Sequence, residues 1–510
     1  MGGLRRVGAM KLPLRLSSHL CLLGLTALFC ANVPLIRAGS ATWQQNPATG
    51  NWNMPANWTP ATVPNGSSDV ATFSSSTQTN VSVTSGITLD SIVFQSDASP
   101  FTINTSSEFA IILMSGAGVV NNSSFAQNFV VGAIGHDQGA LDFSGTATAG
   151  NAIYTQSGAA VRGSFGGTTS FFNSSTADTA SFFLNGGAAN TAAGGGVLFF
   201  DTSSAGSAIF TINPGTVRGA TGGHLEFVDA STAGSAIIAA NGGTNGAAGG
   251  NVFFLDDSTG GRANVVLQGN ATLDLTLHNA PGVTLNSVQG NGLVLLGSSN
   301  LTINTKLNVT FGGVISGSGA FIKTGKGRLD LTNGNTHAGG TIVKAGTLLI
   351  DNTTGSGTGA GAVSVDSGAL GGRGTISGAV TIGSNTPGNG SFLTPGQSFT
   401  HPGTITIGGS LTFASDGFFN VGLAQGPTAG QVTTNGVTIQ TGAQFAFFNN
   451  RGLAVPVGTV LMLINNTDAT PIAGVFDNLP DGLVFTDHGN KFMVNYEGGD
   501  GNDLTLTSVQ

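Results

Sequence analysis

The chain has 510 residues, of which 82 are glycine and only 8% are charged, with 16 basic and 24 acidic side chains. A typical soluble domain has about 25% charged residues and about 7% glycine. This little charge cannot coat the solvated faces of helices, which excludes a mainly helical domain. An apolar fraction of 40% excludes a charge-rich disordered chain, and the net charge of −8 disfavours nucleic-acid binding. The composition therefore favours an all-β protein of many short strands and tight turns.

Residues 1–40 differ in composition from the rest of the chain. They carry five basic residues and no acid, an apolar run over residues 20–29 and small residues at 38–41. This pattern predicts a secretory signal peptide cleaved within 38–41, with an uncleaved N-terminal anchor as the alternative. Both cysteines, Cys21 and Cys30, lie in this segment, so the mature chain is expected to have no disulfide. After cleavage 11 basic and 24 acidic residues remain, a net charge of −13, and no apolar run is long enough for a membrane helix.

Apolar and hydroxyl residues alternate in short runs throughout the mature chain, as at residues 404–407, and glycine, asparagine, serine and aspartate separate these runs. The alternation predicts strands joined by turns. A longer period is superimposed between residues 143 and 265, where five aligned alanines follow one another at intervals of 28, 28, 28 and 27 residues: Ala152, Ala180, Ala208, Ala236 and Ala263. A fixed period of strands without helices predicts a β-solenoid, in which like coils stack and place like residues above one another.

Several changes in the pattern predict boundaries along the chain. The coil spacing shortens near residue 300, and the last segment has denser acidic residues and stronger strands. We therefore expect the signal peptide at 1–40, a Trp-rich cap with the first coils at 41–110, and a solenoid of about 28-residue repeats at 111–300. A second solenoid segment is expected at 301–454, and a C-terminal β cap at 455–510.

Residues 321–350 carry the skeleton K-x-G-x-G-x-L-x-L-x-x-x-N-x-[aromatic]-x-G-G-T-x-[VI]-x-x-G-T-L, with His337 at the aromatic position. This segment closely resembles the autotransporter-associated β-strand repeat, also called the passenger-associated transport repeat. The matching residues are Lys323, Gly325, Gly327, Leu329, Leu331, Asn335, Gly339, Gly340, Thr341, Val343, Gly346, Thr347 and Leu348. Residues 393–398 and 402–405 resemble the family stretch L-x-P-G-x-S…P-G-T-[IL], with a few residues inserted between them.

The start of the mature chain, with Trp43, Trp52 and Trp58, is also similar to the start of large exported proteins that carry this repeat. The resemblance implies a right-handed parallel β-helix that is exported from a Gram-negative-type bacterium to its surface or surroundings. Full autotransporters end in a membrane barrel, and the residues after 413 are too few to form one. We therefore expect a passenger-like chain without that barrel.

One complete motif points to a metal. Residues 498–506 fit G-G-x-G-x-D-x-U-x, the calcium-binding nonapeptide, and make Asp500 and Asp503 candidate Ca²⁺ ligands. The motif occurs once, whereas a calcium site of this type needs ligands from successive repeats. A glycine-rich hairpin is therefore the alternative, and no other cofactor is expected.

Three further groups of residues invite a functional interpretation. A row formed by Asp201, Asp229 and Asp256 near Asn173 could bind a cation if stacked, although such residues also cap turns, and Asp256-Asp257 suits a turn better than a catalytic pair. The three tryptophans could form a carbohydrate platform or, as we favour, cover the first coil. Six histidines fall in the mature chain, none at metal-ligand spacing: His136, His224, His278, His337, His401 and His488.

These observations predict an exported β-solenoid that acts by display and binding, as a structural or adhesin-like protein, rather than by catalysis. Its expected partners are polysaccharides or cell-surface components. A β-helical polysaccharide lyase or hydrolase, which needs paired carboxylates or a Ca²⁺–Arg/Lys group, is one alternative. A periplasmic scaffold is another.

Overall fold

The computed structural model describes residues 39–105, 111–135, 137–386, 388, 390–426, 428–449 and 452–510. In these residues every regular element is a β-strand except the single 3-10 helix Pro55–Asn57. Nearly all strands belong to four long sheets whose neighbouring strands run parallel, one coil apart. The chain is therefore a parallel β-helix, as the sequence predicted.

Sheet 1 and sheet 2 run side by side through the 28-residue repeats. In order, the strands of sheet 1 are Trp58–Thr59, Ala41–Trp43, Val70–Phe73, Ile87–Phe94, Ile111–Asn121, Ala140–Phe143, Thr168–Phe171, Gly196–Phe199, His224–Phe227, Asn251–Phe254, Thr272–Asp274, Leu293–Leu295 and Val314–Ser316. The parallel strands of sheet 2 are Asn80–Ser82, Thr102–Thr105, Asn128–Val131, Ile153–Gln156, Ser181–Leu184, Ile209–Ile212, Ile237–Ala240, Asn264–Leu267, Ser287–Gly290, Val309–Phe311, Arg328–Leu331, Thr347–Ile350, Gly368–Gly372, Ser391–Ser398, Gly417–Ala424 and Gln444–Phe448. Two short strands, His401–Pro402 and Thr428–Ala429, pair antiparallel with the extended strands Ser391–Ser398 and Gly417–Ala424.

Two further sheets form later in the chain. The strands of sheet 3 are Gly282–Leu285, Asn300–Asn304, Phe321–Thr324, Thr341–Val343, Val363–Val365, Val380–Ile382, Leu411–Phe413 and Val437–Ile439. The strands of sheet 4 are Thr375–Ile376, Thr404–Ile407, Gln431–Thr434, Val460–Asn466, Asp503–Val509, Asn490–Gly498 and Val484–Asp487, and the last three join by antiparallel pairing. A separate hairpin joins Ala133–Ile134 to Asp137–Gln138.

The repeat places identical side chains above one another inside the coils. Phe143, Phe171, Phe199, Phe227 and Phe254 pair in register along sheet 1. Their rings stack with centroids 4.6–5.0 Å apart, which matches the strand spacing of about 4.7–4.9 Å. The five aligned alanines are all fully buried, and each directly precedes a strand of sheet 2. The predicted stacking of the repeats is confirmed.

Glycine supplies the positive φ that this turn needs. Gly206, Gly234 and Gly261 succeed one another at the same corner with φ of 59°, 55° and 56°. A Cβ on Gly234 would collide with the carbonyl oxygen of Gly206 in the coil before. Glycine occupies this corner in four of the five repeats, and Asp178 takes the same place in the other with φ of 51°.

The N-terminal end of the helix is closed by tryptophan. Trp43, Trp52 and Trp58 are at most 2% exposed and meet edge to face, with centroids 5.0 and 4.8 Å apart. The indole N–H of Trp58 donates to the carbonyl of Trp52 at 2.7 Å, and that of Trp43 donates to the carbonyl of Gln78 at 3.0 Å. The rings therefore cover the first coil and have no free face for a sugar.

The set of sheets that contribute strands to each coil changes in the middle of the chain. Sheet 3 begins at Gly282 and sheet 1 ends at Ser316, and sheet 4 begins only at Thr375. The division of the chain at residues 110, 300 and 454 stays a prediction. The predicted signal peptide, with Cys21 and Cys30, falls almost wholly outside the described residues. No helix in the described part of the chain has the length and apolarity that crossing a membrane requires.

We expect the phenylalanine stack to carry much of the stability of the repeats. Phe199→Ala should lower the free energy of unfolding by about 3–5 kcal/mol, because it opens a cavity between two stacked rings. Phe183→Ala, at an outward-facing ring that is 40% exposed, is the matched control and should cost far less. Urea denaturation followed by far-UV circular dichroism measures both. Equal losses would show that the stack is not the main source of this stability.

Candidate functional site

The predicted row of Asp201, Asp229 and Asp256, together with Asn173, lies at one corner of the repeats and is called the corner row below. Asn173, Asp201, Asp229 and Asp256 all adopt positive φ, between 51° and 57°. Each side chain accepts a hydrogen bond from the backbone N–H of its counterpart one coil earlier. The three bonds that join members of the row are 2.8, 3.1 and 3.4 Å long. The carboxylates therefore cap the ladder at a left-handed turn, which aspartate and asparagine tolerate better than other residues with side chains.

The other acidic candidates also serve turns. Asp257 accepts a hydrogen bond from the Asn279 amide at 3.0 Å, and its neighbour Asp256 belongs to the corner row, so each carboxylate has its own hydrogen-bond partner. Across the described residues, no group of three or more His, Cys, Asp or Glu side chains is arranged to hold a metal ion.

The calcium-type nonapeptide forms the hairpin between the strands Asn490–Gly498 and Asp503–Val509. Asp500 lies exposed in the turn, whereas Asp503 is 3% exposed and accepts a hydrogen bond from the Asn466 backbone N–H at 2.8 Å. Burial raises the pKa of Asp503 above its ordinary value. One oxygen of Asp503 thus holds together two strands of sheet 4. Calcium binding by Asp500 and Asp503 stays a prediction.

The histidines are dispersed. His278 bonds to the carbonyl oxygens of Ser258 and Asn279, and His224 lies in sheet 1, where burial lowers its pKa. His401 contacts the hydroxyls of Ser398 and Thr400, at 3.2 and 3.0 Å. His488 pairs with Asp487 at 3.0 Å, and His136 lies outside the described residues. The hydrogen bonds of these described histidines place none of them between a serine and a carboxylate.

The segment 321–350 carries two unusual buried groups. Lys323 is fully buried in sheet 3, and its ammonium donates to the carbonyls of Thr324, Gly325 and Ala345 at 2.7, 2.9 and 3.2 Å. Burial lowers the pKa of Lys323 to about 8. These carbonyls belong to two successive coils, so the lysine links them at a corner where their acceptors would otherwise be unpaired.

The side chain of Asn335 caps the last strand of sheet 1, Val314–Ser316. Its side-chain oxygen accepts from the Ile315 backbone N–H at 2.7 Å, and its amide donates to the carbonyl of Gly357 at 2.6 Å. The Thr336 backbone N–H then donates to the carbonyl of Ile315 at 2.9 Å. The loop at Asn335 and Thr336 therefore provides hydrogen-bond partners for the backbone of the last strand of sheet 1. An asparagine side chain can both accept and donate, which fits the asparagine that the motif has at this position.

His337 follows directly and is fully buried. Its Nε2 lies 3.0 Å from the Thr341 hydroxyl, and its ring centroid lies 6.2 Å from that of Phe321. Burial lowers the pKa of His337 to about 4, so the ring is neutral near pH 7. The histidine thus fills the buried position that an aromatic ring occupies in the family skeleton.

A groove opens on the outer face of sheet 2. It has a volume of about 490 Å³ and is bordered by the hairpin 391–402. Its lining includes Leu349, Phe392, Thr394, Phe399, Asn420 and Phe448. Leu349 is only 3% exposed although it points away from the core, because the groove walls cover it. None of the described lining residues is charged.

The hairpin comes from an interruption of the family stretch. Phe399, Thr400 and His401 stand between the L-T-P-G-Q-S and P-G-T-I segments, where the family pattern has fewer residues. The Phe399 ring stacks on Phe448, with centroids 4.0 Å apart and planes at 28°. Sequence reasoning identified the insertion but not the groove, because Phe448 joins it from the coil formed by residues 417–448.

Comparison with known proteins agrees with this architecture. Residues 321–350 match the family model of the passenger-associated-transport-repeat. A stretch of 115 residues, 22% of the chain, is 37% identical to the adhesin BmaC autotransporter of Brucella suis biovar 1 (strain 1330), and covers 3% of that protein. A stretch of 162 residues, 31% of the chain, is 31% identical to an extracellular serine protease of Serratia marcescens, and covers 13% of it. No solved structure matches the chain significantly.

The chain therefore spans a small part of either curated relative. Residues 321–350 carry a passenger-associated-transport-repeat, and over these stretches the chain resembles autotransporter passengers.

The corner row yields a prediction that separates capping from cation binding. Asp229→Asn should leave the free energy of unfolding nearly unchanged, because Asn173 already caps the same corner with an amide oxygen. Asp229→Ala should cost about 1–2 kcal/mol, because it loses the cap and strains a positive φ. Thermal unfolding with and without calcium measures both variants. Destabilisation by asparagine only when calcium is present would instead assign the row to cation binding.

His337 predicts a loss of stability in acid. Its pKa is lower in the folded chain than in the unfolded chain, where it is about 6.5. The unfolded state therefore binds more protons between these values, and stability should fall as the pH drops from 6.5 to 4, by about 3 kcal/mol. The difference in unfolding free energy between the native chain and His337→Phe, measured across this range, isolates the contribution. A difference that does not change with pH would contradict the prediction.

Proposed function

We propose that the chain is an exported surface or extracellular protein that acts by display and adhesin-like binding rather than by catalysis. The observation that carries this proposal is the ligand-sized groove, which is lined by aromatic and uncharged polar side chains and holds no acid–base group among its described residues. Sites for small ligands have volumes of about 300–1,000 Å³ and are mainly apolar with a few polar groups. The relative named as an adhesin supports the same role.

The placement of the ionisable groups supports a non-catalytic role. General acid–base catalysis needs titratable groups that converge on one reacting atom. Here the corner row caps backbone amides, Asp503 bridges strands, and Lys323 and His337 lie inside the coils. Because one relative is named as a serine protease, proteolysis is included among the activities to be tested.

Export and display are expected to be visible on whole cells. Proteinase treatment of intact source cells should remove the chain without cutting a cytoplasmic marker protein. Beads coated with the purified chain should adhere to cells or to glycan-coated surfaces more than beads coated with albumin. A chain protected until the outer membrane is opened would support the periplasmic scaffold instead.

The purified chain is also expected to leave substrates intact. Casein should show no new fragments on a gel, and plant, algal and bacterial glycans should show no new reducing ends and no unsaturated product absorbing at 235 nm. Turnover of any of these substrates would contradict the proposed mode of action.

A further inference from the structure

We propose that the groove beside the hairpin 391–402 is the binding site for a neutral saccharide. This inference rests on the proposed function, because it supplies the ligand class of an adhesin-like protein. The groove is bounded below by sheet 2 and on one side by the hairpin, and its volume of about 490 Å³ suits a small ligand. A second cavity of about 390 Å³ adjoins it at Phe392, between Phe418 and Asp416, which suits a ligand of more than one unit.

Asn420 provides the polar contact inside the groove. It lies between Phe419 and Val421, which face the core, so its side chain points outward with Phe418. Asn420 is only 7% exposed and lines the groove, yet no hydrogen bond to its side-chain amide is formed by the described residues. A carboxamide offers two donors and two lone pairs, and the amide atoms of Asn420 open into the groove without partners among the described residues. Hydroxyl groups of a ligand would provide them.

Aromatic rings provide the apolar contact. Phe399 stacks on Phe448, and Phe392 packs beside Phe418 with centroids 5.2 Å apart. All four rings are half-buried, in contrast to the fully buried phenylalanines of the repeats. A sugar ring has both a flat face of C–H groups and an edge of hydroxyls, which matches rings and amide together. A purely apolar ligand would leave Asn420 buried and unpaired.

The charge of the site favours a neutral ligand. None of the described residues in the main groove can neutralise an anionic or cationic group. Asp416 lines the adjoining cavity, where its carboxylate accepts from the backbone N–H groups of Ser384 and Asn385 at 2.9 and 2.8 Å.

Asp351 and Arg373 border the hairpin, but both are engaged there. Asp351 accepts from the Gln397 amide at 3.1 Å, and the Arg373 guanidinium donates to the carbonyl of His401 at 3.3 Å. Burying an ionic group beside these phenylalanines without a partner is unfavourable.

The backbone of the groove disfavours an extended peptide. Strand addition requires a sheet edge with unpaired N–H and C=O groups. The strands of the groove floor pair with a strand on each side within sheet 2, from Thr347–Ile350 to Gly417–Ala424. The strand Gln444–Phe448 pairs only with Gly417–Ala424 among the described strands, but the Asn478 side chain bonds both the backbone N–H and the carbonyl of its Phe445. The described floor strands therefore present no free edge, and a bound peptide would have to be held mainly through its side groups.

Calorimetry with the full purified chain tests the proposal. The probes are neutral hexasaccharides of glucan, mannan and xylan, with anionic oligogalacturonate and an uncharged hexapeptide as comparison ligands. At least one neutral saccharide should bind, and Phe399→Ala and Asn420→Leu should each weaken its binding by about tenfold or more. The matched controls Phe183→Ala and Asn128→Leu, at outward positions elsewhere on sheet 2, should leave the affinity unchanged.

Stability separates a binding role of Asn420 from a structural one. Asn420→Leu keeps the volume and removes an unpaired amide, so its unfolding midpoint should equal or exceed that of the native chain. Absence of neutral saccharide binding, binding only of oligogalacturonate or the peptide, or binding unaffected by both groove variants would each overturn the inference. If bead adhesion persists in such a case, the proposed function stands and only the site or its ligand class is wrong.

Discussion

The parallel backbone ladder between successive coils is the interaction on which the rest of this structure depends. Each strand in the middle of a sheet pairs with the strand one coil before and the strand one coil after, and many turn residues bond from coil to coil in the same way. The ladder also fixes the spacing at which like residues meet, which is why Phe171 stacks on Phe143 and on Phe199. Few charged side chains are needed, because stability comes from this ladder and from the stacked interior.

The corners must repeat as strictly as the strands. A corner that approaches its neighbour at ladder spacing needs positive φ and little side-chain volume, and glycine meets both needs at Gly206 and Gly234. At the neighbouring corner, where Asp201 and Asp229 keep a side chain, each carboxylate accepts a hydrogen bond from the coil before. The acidic residues of the corner row therefore have a structural role at their corner.

Function is expected where the repetition is interrupted. The motif at 321–350 lies where sheet 1 ends, and Lys323 and Asn335 satisfy the carbonyls and amides that this transition leaves unpaired. The hairpin 391–402 interrupts the coils again, and there half-buried phenylalanines and an unpaired amide meet on the outer face. The groups at the first interruption bond within the coils, whereas the second interruption leaves uncharged side chains lining an open groove.

The sequence by itself determined the fold class, because a 28-residue period of short strands without helices is typical of stacked β-solenoid coils. It also determined the capping role we favoured for the tryptophans and the match of residues 321–350 to a transport repeat. Only the tertiary structure decided which side chains meet where the coils are irregular. Phe399 and Phe448 are far apart in the sequence, and no period relates them. The sequence also does not show that the Asn420 amide has no hydrogen-bond partner among the described residues, because the pairing of a polar group depends on its neighbours in space.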